Sequence, residues 1–344
     1  MTVRHARIVI RGSGLAGIAA AKLLHDRGMD VRLNGWPQRN GRIVAIPVET
    51  LTLASSLFDF NVADLKIGTI VTGRRVDWAG DQATVVPQTA LACDAGEFAA
   101  ALAGRLPERL RIFAGENDEA DWTIQASGRS IDNQAGGGRR VGQLARIVDE
   151  NVQRITTIGA TPYGWTFTLP HPAGGTAILM VTPSPSMAPT TPEAAAERLT
   201  AEGLTVAAAD ILSLSNPQPI APHLAQPLAA ENRLRIGDAA MALDPLRGDG
   251  AGFALRGALL AQAVIAAIEA GGDRTQLFNH YNHRLREVFV SHLRGCSSHY
   301  RAARYAEIWR TDIVAMDCLS ELIEPAPGGY EFRLNERDLV AQEE

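Results

Sequence analysis

The amino-acid sequence predicts an α/β fold, in which a Rossmann-type domain built from discontinuous segments accompanies a mostly β domain and C-terminal helices. Three observations predict it. A short apolar strand, a glycine-rich turn and a helix open the chain, and strand-like segments separated by turns fill its middle. A strand, a glycine-bearing turn and a long apolar helix then return near residue 234. Because similar elements flank the β-rich stretch, the first domain is expected to be interrupted in sequence.

The order of these elements sets the predicted domain boundaries. The first domain comprises residues 1–60, 94–150 and 228–275. The second, which we expect to hold the substrate, comprises residues 61–93 and 151–227. The remaining residues, 276–344, are predicted to form a helical region that ends in an acidic tail.

The first motif follows the opening strand, Arg7–Ile10, and reads Gly-Ser-Gly-Leu-Ala-Gly over residues 12–17. The first glycine permits a tight turn, the second lets backbone approach a pyrophosphate, and the third lets the helix pack against the strand. The helix start offers free N–H groups and the positive end of its dipole to the phosphates. The predicted dinucleotide contacts are Gly12, Ser13, Gly14, Ala16 and Gly17.

The second strand of this unit is predicted at Val31–Leu33 and is followed by Asn34. An acidic residue usually binds the adenosine ribose at this position. Asn34 can bond a hydroxyl but carries no charge, so we predict it as a weaker ribose contact. An ordinary structural turn is the alternative for the glycine motif, and the flanking strands and helix favour the dinucleotide site.

A second signature spans residues 235–250 and reads RIGDAAMALDPLRGDG. Together, the two signatures resemble the FAD-dependent aromatic hydroxylases and the flavin-dependent tryptophan halogenases, which share one fold. The resemblance implies that Gly237 and Asp238 contact FAD, with the Asp238 carboxylate on the ribityl chain. It also implies that the turn at Pro245, with Gly248 and Gly250, brings backbone N–H groups to the pyrimidine edge of the flavin.

Smaller segments agree with this resemblance. Residues 120–129 are similar to the strand and turn that lie between the two FAD signatures of these families, with Gly128 in the turn. Gln125 replaces the usual aspartate of that segment. The Cys93-Asp94-Ala95 start of a predicted helix, residues 94–106, is closer to the halogenases than to the phenol hydroxylases.

Pro245 of the second signature is one candidate catalytic residue, and two further segments supply the others. Residues 164–170 resemble the tryptophan motif of the halogenases, with Phe167 and Leu169 in place of Trp and Ile. Trp165 and Phe167 alternate along a strand and share one face, either as core packing or as a pocket wall beside the flavin. Lys66 falls where halogenases carry their catalytic lysine, which relays hypohalous acid. In a hydroxylase, Lys66 could polarise peroxide or substrate, and a solvent-facing lysine is the alternative.

The resemblance implies an FAD-dependent monooxygenase that hydroxylates an aromatic substrate through a flavin C4a-hydroperoxide. An indole or tryptophan, free or in a peptide, is the expected substrate. The expected electron donor is NAD(P)H, or reduced flavin from a partner reductase. A halogenase and a reductase of the same fold are the alternatives, together with a flavin-binding partner protein that has no turnover.

Composition limits the other function classes. The formal net charge of −5 argues against a nucleic-acid partner. The three cysteines are far apart and form neither a disulfide framework nor a CxxC pair, which favours a cytoplasmic protein. The longest apolar stretch, Leu259–Ile268, is about half of what a bilayer crossing needs, so no membrane contact is expected. His280 and His283 lack evident further ligands, so no metal site is predicted.

Overall fold

The structure is a computed structural model that describes residues 6–80, 82–111, 119–128, 134–149, 152–323 and 332–341. Its helices are α1 Leu15–Asp26, α2 Val48–Phe58, α3 Ala95–Ala103, α4 Pro192–Ala201, α5 Gly250–Glu269, α6 Arg274–Arg301 and α7 Arg310–Leu322. Its strands are β1 Arg7–Arg11, β2 Asp30–Asn34, β3 Ile43–Pro47, β4 Gly68–Asp77, β5 Thr84–Asp94, β6 Trp122–Gln125, β7 Gln134–Gly136, β8 Val141–Ile147, β9 Ile155–Thr161, β10 Gly164–Pro170, β11 Thr176–Thr182, β12 Ile211–Leu214, β13 Gln218–Pro219, β14 His223–Ala225, β15 Ala229–Ala230, β16 Arg233–Arg235, β17 Met241–Ala242, β18 Phe332–Asn335 and β19 Asp338–Ala341.

A five-stranded sheet carries the two glycine signatures, in the order β15-β16-β6-β1-β2. β1 pairs in parallel with β2 and β6, and β16 pairs in parallel with β6. β1, which lies between β6 and β2, is buried on both faces, and Ile8 and Ile10 are fully inaccessible to solvent. Because parallel strands end at one edge of a sheet, the turns after β1, β6 and β16 meet there. The predicted discontinuous Rossmann-type fold is confirmed.

A larger sheet holds the β-rich middle of the chain. Its strand order is β12-β8-β11-β10-β9-β4-β5-β3, and β13 also pairs with β8. Every pairing in it is antiparallel except that of β4 with β9. The residue boundaries of the two domains stay a prediction. Strand pairing places β3 and β8 in this large sheet, although the prediction counted both with the first domain.

The long apolar helix α5 packs against α1 and lies inside the protein. Its 20 residues are long and apolar enough to cross a membrane, but 78% of its apolar window is buried within the fold. The apolar stretch Leu259–Ile268 forms the second half of this helix. Its burial identifies α5 as a core helix.

The end of the chain differs in part from the predicted acidic tail. β18 and β19 form an antiparallel hairpin, and Asp338 accepts a hydrogen bond from Arg27. The other tail residues, 324–331 and 342–344, lie outside the described residues. The Gly136–Gly138 run is packed: β7 pairs with β14, and Gly138 lies against Asp312.

We expect Asp94→Ala to destabilise the fold by about 2 kcal/mol, measured by chemical unfolding. Asp94 is the N-cap of α3 and accepts hydrogen bonds from the Gly96 and Glu97 N–H groups, at 2.8 and 3.0 Å. It also accepts one from the Gly41 N–H at 2.7 Å. Asp94→Asn, which keeps one acceptor oxygen, should lose less. An Ala variant as stable as the wild type would contradict this role.

Candidate functional site

A cavity of about 500 Å³ lies at the edge of the five-stranded sheet where β1, β6 and β16 end. The turns after these strands, the starts of α1, α3 and α5, and the segment before and within β3 form its walls. Its lining includes these predicted residues: Gly12, Ser13, Gly14, Ala16, Gly128, Gly237, Asp238 and Gly250. The two glycine-bearing signatures, distant in sequence, therefore face one cavity.

The three glycines of the first motif differ in what surrounds them. Gly12 has φ +116°, and a Cβ added there would lie 2.4 Å from the carbonyl carbon of Ala126. A Cβ added at Gly17 would lie 2.0 Å from the Gly12 carbonyl oxygen. At Gly14, an added Cβ meets no atom of the described chain within 4 Å, apart from its chain neighbours. Gly12 and Gly17 are therefore required by internal packing, whereas Gly14 keeps its backbone accessible from the cavity.

The starts of two helices also indicate where the cavity favours negative charge. α1 begins after Gly14 and α5 begins after Asp249, and in the part of the chain described here neither has a side-chain cap hydrogen bond or an acidic residue in its first turn. Gly14 and Gly250 line the cavity. Free N–H groups and the positive dipole end of each helix therefore favour negative charge at these positions.

Sequence reasoning missed the polar wall opposite these helices. Arg42 lines the cavity, and its Nη1 atom lies 3.6 Å from Oδ2 of Asp238. Gln38 and Asn40 lie beside it. A Cβ added at Gly96 would lie 1.9 Å from the Gln38 carbonyl oxygen, so α3 packs directly against this segment. No familiar motif marks residues 38–42 in the sequence.

Other predicted contacts lie away from this cavity. Asn34 ends β2, pairs in register with Arg11 and does not line the cavity. Gly17 is buried behind the first turn. Pro245 and Gly248 belong to a short 3-10 turn, Pro245–Arg247, and its left-handed C-cap, with φ +65° at Gly248. Whether any of the predicted residues contacts a cofactor stays a prediction.

A buried ion network fixes the turn of the second signature. The Arg140 side chain is fully buried, and its Nε atom lies 3.0 Å from Oδ2 of Asp244. This contact is an ion pair without hydrogen-bond alignment, because Nε does not point at the carboxylate. Arg140 Nη1 donates to Oδ1 of Asp312 at 2.7 Å. Asp244 also accepts hydrogen bonds from the Tyr300 hydroxyl at 3.1 Å and the Leu246 N–H at 2.9 Å.

The charged groups in this network shift one another's pKa values. Burial alone lowers the pKa of Arg140, but the carboxylates of Asp244 and Asp312 outweigh it and raise the pKa above its ordinary value. Burial raises the pKa of Asp312, and Arg140 partly offsets that shift. One guanidinium between two buried carboxylates thus joins the loop before β8 to α7 and to the second signature.

His292 supports the same turn from α6. Its Nε2 atom accepts a hydrogen bond from the Asp244 backbone N–H at 2.8 Å, so the ring is neutral and its proton is assigned to Nδ1. The Cys296 sulfur lies 3.4 Å from the same nitrogen. Burial lowers the pKa of His292 to about 4, and the nearby Asp244 only partly opposes this.

The three candidate catalytic side chains outside the second signature are not brought together. Trp165 is buried and donates from Nε1 to the Tyr300 hydroxyl at 3.0 Å, which matches the core-packing alternative. Phe167 is half-buried, and the Arg74 guanidinium lies 5.6 Å from its ring centroid. Lys66 is exposed in the segment before β4 and does not line the cavity. Their catalytic roles stay predictions.

The described residues contain no group of three or more His, Cys, Asp and Glu side chains that could hold a metal ion. Both histidines of the predicted pair lie on α6. His280 is buried, with its ring centroid 5.5 Å from that of Phe332. His283 is half-buried.

We expect the melting temperature to fall as the pH is lowered from about 6.5 to 4. A histidine in the unfolded chain binds a proton in this range, whereas folded His292 does not, so acid favours unfolding. A shift from 6.5 to about 4 corresponds to roughly 3 kcal/mol. Calorimetry between pH 7 and 4.5 measures the effect.

His292→Gln should reduce this pH dependence, because the amide oxygen can accept from the Asp244 N–H and does not titrate. Part of it should remain, since burial also lowers the pKa of His280 to about 4. His299→Gln, an exposed position on the same helix, is the matched control and should behave like the wild type. Parallel curves for wild type and His292→Gln would contradict the assignment.

No family model and no curated protein sequence matches the chain. Several solved structures have a similar fold. The peptidyl tryptophan dihydroxylase QhpG, essential for tryptophylquinone cofactor biogenesis, has a TM-score of 0.73 at 21% identity, over 90% of this chain and 79% of that chain. The flavin-dependent halogenase CmlS has a TM-score of 0.74 at 18% identity, over 90% and 68%. PqsL, a probable FAD-dependent monooxygenase from Pseudomonas aeruginosa, has 0.67 at 16%, over 90% and 100%.

These similarities span nine-tenths of the chain and include both sheets. At identities of 21% and below they establish architecture. The chain has the fold of the flavin-dependent aromatic hydroxylases and halogenases.

Proposed function

We propose that this protein is an FAD-dependent monooxygenase that hydroxylates an aromatic substrate. The observation that carries the proposal is that the Gly12–Gly14 turn and the Gly237–Gly250 signature line one cavity. Two unrelated structural turns would not be expected to line the same cavity. The solved structures of similar fold, which include a tryptophan dihydroxylase and a probable FAD-dependent monooxygenase, support the same conclusion.

The residues present fit FAD. Gly14 and the free N–H groups at the start of α1 suit the diphosphate, because an accessible backbone and a positive dipole end meet there. The Asp238 carboxylate suits the ribityl hydroxyls. The start of α5 at Gly250 suits the flavin ring, where a positive dipole end stabilises the negative charge of the reduced form.

FAD supplies the redox chemistry of a monooxygenase, by accepting two electrons and activating oxygen. The protein supplies orientation and charge. Arg140, Asp244 and His292 hold the second turn rigid, so that the N–H groups at the start of α5 stay aimed at one place. Arg140, Asp244 and His292 are all buried, so water does not compete for the contacts between them.

An indole or tryptophan, free or in a peptide, is the substrate class that we favour. NAD(P)H, either directly or through a partner flavin reductase, is the electron source that we favour. A cytoplasmic location remains part of the same proposal. The substrate class is supported by the sequence resemblance to tryptophan-modifying flavoproteins and by the similar fold of a dihydroxylase that acts on peptidyl tryptophan.

A halogenase is the second candidate, favoured by the similar fold of a flavin-dependent halogenase and by the sequence position of Lys66. The exposed location of Lys66 before β4 argues against it. Halide incorporation that disappears in Lys66→Ala would establish it over hydroxylation.

Oxygen labelling tests the reaction. The purified protein, reconstituted with FAD, is reduced by NADH, NADPH or a flavin reductase and mixed with ¹⁸O₂ and indole, tryptophan or a tryptophan peptide. We expect one or two ¹⁸O atoms in the product, measured by mass spectrometry. Products formed without oxygen would indicate a reductase instead. Hydrogen peroxide as the sole product from every substrate would contradict the proposal.

We expect Gly14→Val to weaken FAD binding at least tenfold, because a side chain there occupies the space through which the diphosphate approaches. The melting temperature without FAD should change little, since no described atom beyond its chain neighbours lies within 4 Å of the added Cβ. Equilibrium dialysis measures the affinity.

Gly80→Val is the matched control, because it too adds a side chain where none of the described atoms would be met within 4 Å, and Gly80 does not line the cavity. Equal FAD affinities for the Gly14 and Gly80 variants would contradict the diphosphate assignment. Absence of FAD binding by the wild type at micromolar concentration would favour a protein without flavin turnover.

A further inference from the structure

A second cavity, of about 450 Å³, lies between α5, α6 and the hairpin of β18 and β19. We call it the hairpin cavity. It shares no lining residue with the cavity of the two glycine signatures, so the two cavities meet different faces of α5. Its volume is within the range of cavities that hold small organic ligands. Its wall is mostly apolar and includes Phe253, Leu260, Leu285, Val288, Phe332 and Leu334.

The charged side chains that line the hairpin cavity are basic. Arg256 follows Phe253 by three positions on α5, and Arg284 follows His280 by four on α6, so each arginine lies on the helix face that meets the cavity. None of the described Asp and Glu residues lines it. Burial is the main cause that lowers the pKa of His280 to about 4, and the positive charge of Arg284 lowers it further. The hairpin cavity therefore combines an apolar wall with positive charge.

Both arginines have partners that a ligand can replace. Arg256 Nη2 lies 2.6 Å from Oδ2 of Asp249, and Arg284 Nη1 lies 3.2 Å from Oε2 of Glu287. The four side chains are between 42% and 53% exposed, and ion pairs at such positions contribute little because water screens them. An anion in the cavity can therefore take over a guanidinium without leaving a buried carboxylate unpaired.

We propose that the hairpin cavity binds a small amphipathic carboxylate, with its apolar body against the wall and its charged group at Arg256 and Arg284. A guanidinium presents several N–H donors in one plane, which suits the two oxygens of a carboxylate. Burial of the apolar body removes its surface and that of Val288 and Leu334 from water, and these two side chains are exposed without a ligand. This site lies apart from the proposed FAD site and extends the proposed function.

One ion pair links the two cavities. Asp249 directly precedes α5, whose first residue, Gly250, lines the cavity of the two signatures, whereas its partner Arg256 lines the hairpin cavity. When a carboxylate binds Arg256, the charge of Asp249 is no longer neutralised. Negative charge beside the start of α5 disfavours an anionic ligand there, so occupation of the hairpin cavity should weaken FAD binding. This link, unlike the site itself, rests on the proposed function.

Calorimetry with octanoate and with its uncharged analogue 1-octanol tests the site in the full-length protein. We expect Arg284→Gln to weaken octanoate binding about 5- to 20-fold, because the variant loses a charge-assisted contact. Binding of 1-octanol should change by less than about twofold. Arg286→Gln is the matched control, since Arg286 is an exposed arginine of the same helix that does not line the cavity. It should bind both probes like the wild type.

A larger side chain in the cavity wall tests the location. Val288→Trp should weaken the binding of both probes at least tenfold, because the indole occupies space that the apolar body needs. Val314→Trp is the matched control, since Val314 is an exposed valine of α7 that does not line the cavity. Melting temperatures of both variants should stay close to that of the wild type, because both positions are exposed.

Three results would overturn the site. The first is a wild type that does not bind octanoate at millimolar concentration. The second is an equal loss of octanoate affinity in Arg284→Gln and Arg286→Gln. The third is octanoate binding that Val288→Trp leaves unchanged while its fold is intact.

Equilibrium dialysis of FAD with and without saturating octanoate tests the link. We expect octanoate to weaken FAD binding about two- to fivefold, the effect of losing one exposed ion pair. Arg256→Gln should show the weaker FAD binding without octanoate and no further change with it. Val288→Trp should not respond to octanoate, which excludes competition inside the FAD cavity. Equal FAD affinities of the wild type with and without octanoate would overturn the link and leave the site standing.

The outcomes separate this inference from the proposed function. Octanoate binding that depends on Arg284, in a protein that binds no FAD, would leave the site standing and remove the monooxygenase. Incorporation of ¹⁸O into an aromatic substrate by a protein that binds no octanoate would do the reverse.

Discussion

The site depends on a single buried guanidinium. Arg140 lies between the carboxylates of Asp244 and Asp312, and it reaches across three parts of the fold that are far apart in the chain. A charge in this environment is stable only while its partners stay in place, because a buried guanidinium without them carries a large desolvation cost. The loop before β8, the turn of the second signature and α7 are therefore held in one arrangement.

This constraint has a consequence for chemistry. The Asp244 turn leads directly into α5, and the N–H groups at the start of α5 face the cavity. A mobile turn would let those N–H groups reorient, and electrostatic stabilisation would lose the preorganisation that makes it effective. His292 and Tyr300 add hydrogen bonds to the same aspartate from α6. The C-terminal helices are thus linked to the cavity through one residue, Asp244.

The large sheet contributes differently. Its face towards the second signature is mostly apolar, with Ile158, Trp165 and Phe167 on it. Parallel strand ends supply the cavity at the sheet edge, whereas this face of the large sheet supplies a broad, mostly apolar surface. This difference follows from how the strands pair. Parallel strands bring their loops together at one edge of a sheet, whereas antiparallel strands present a broad face.

Much of the site could be predicted from the sequence, because its signals are local. The Gly12–Gly17 turn and the Gly237–Gly250 signature each specify a strand, a turn and a helix within a few residues, and backbone geometry limits what such a pattern can form. Asp94 as an N-cap belongs to the same class. These elements were expected from the local pattern, and their approach to one cavity was implied by the family resemblance.

The remaining features required the tertiary structure. Arg140 and Asp312 are 172 positions apart, and neither stands in a motif. Arg42 and Gln38 line the cavity where α3 packs on their loop. Lys66, although it matches a family position, is exposed before β4. The sequence by itself determined the fold class and the glycine-bearing turns, since backbone geometry is local. Only the tertiary structure decided which charges meet, since burial and ion pairing depend on residues that the chain brings together from a distance.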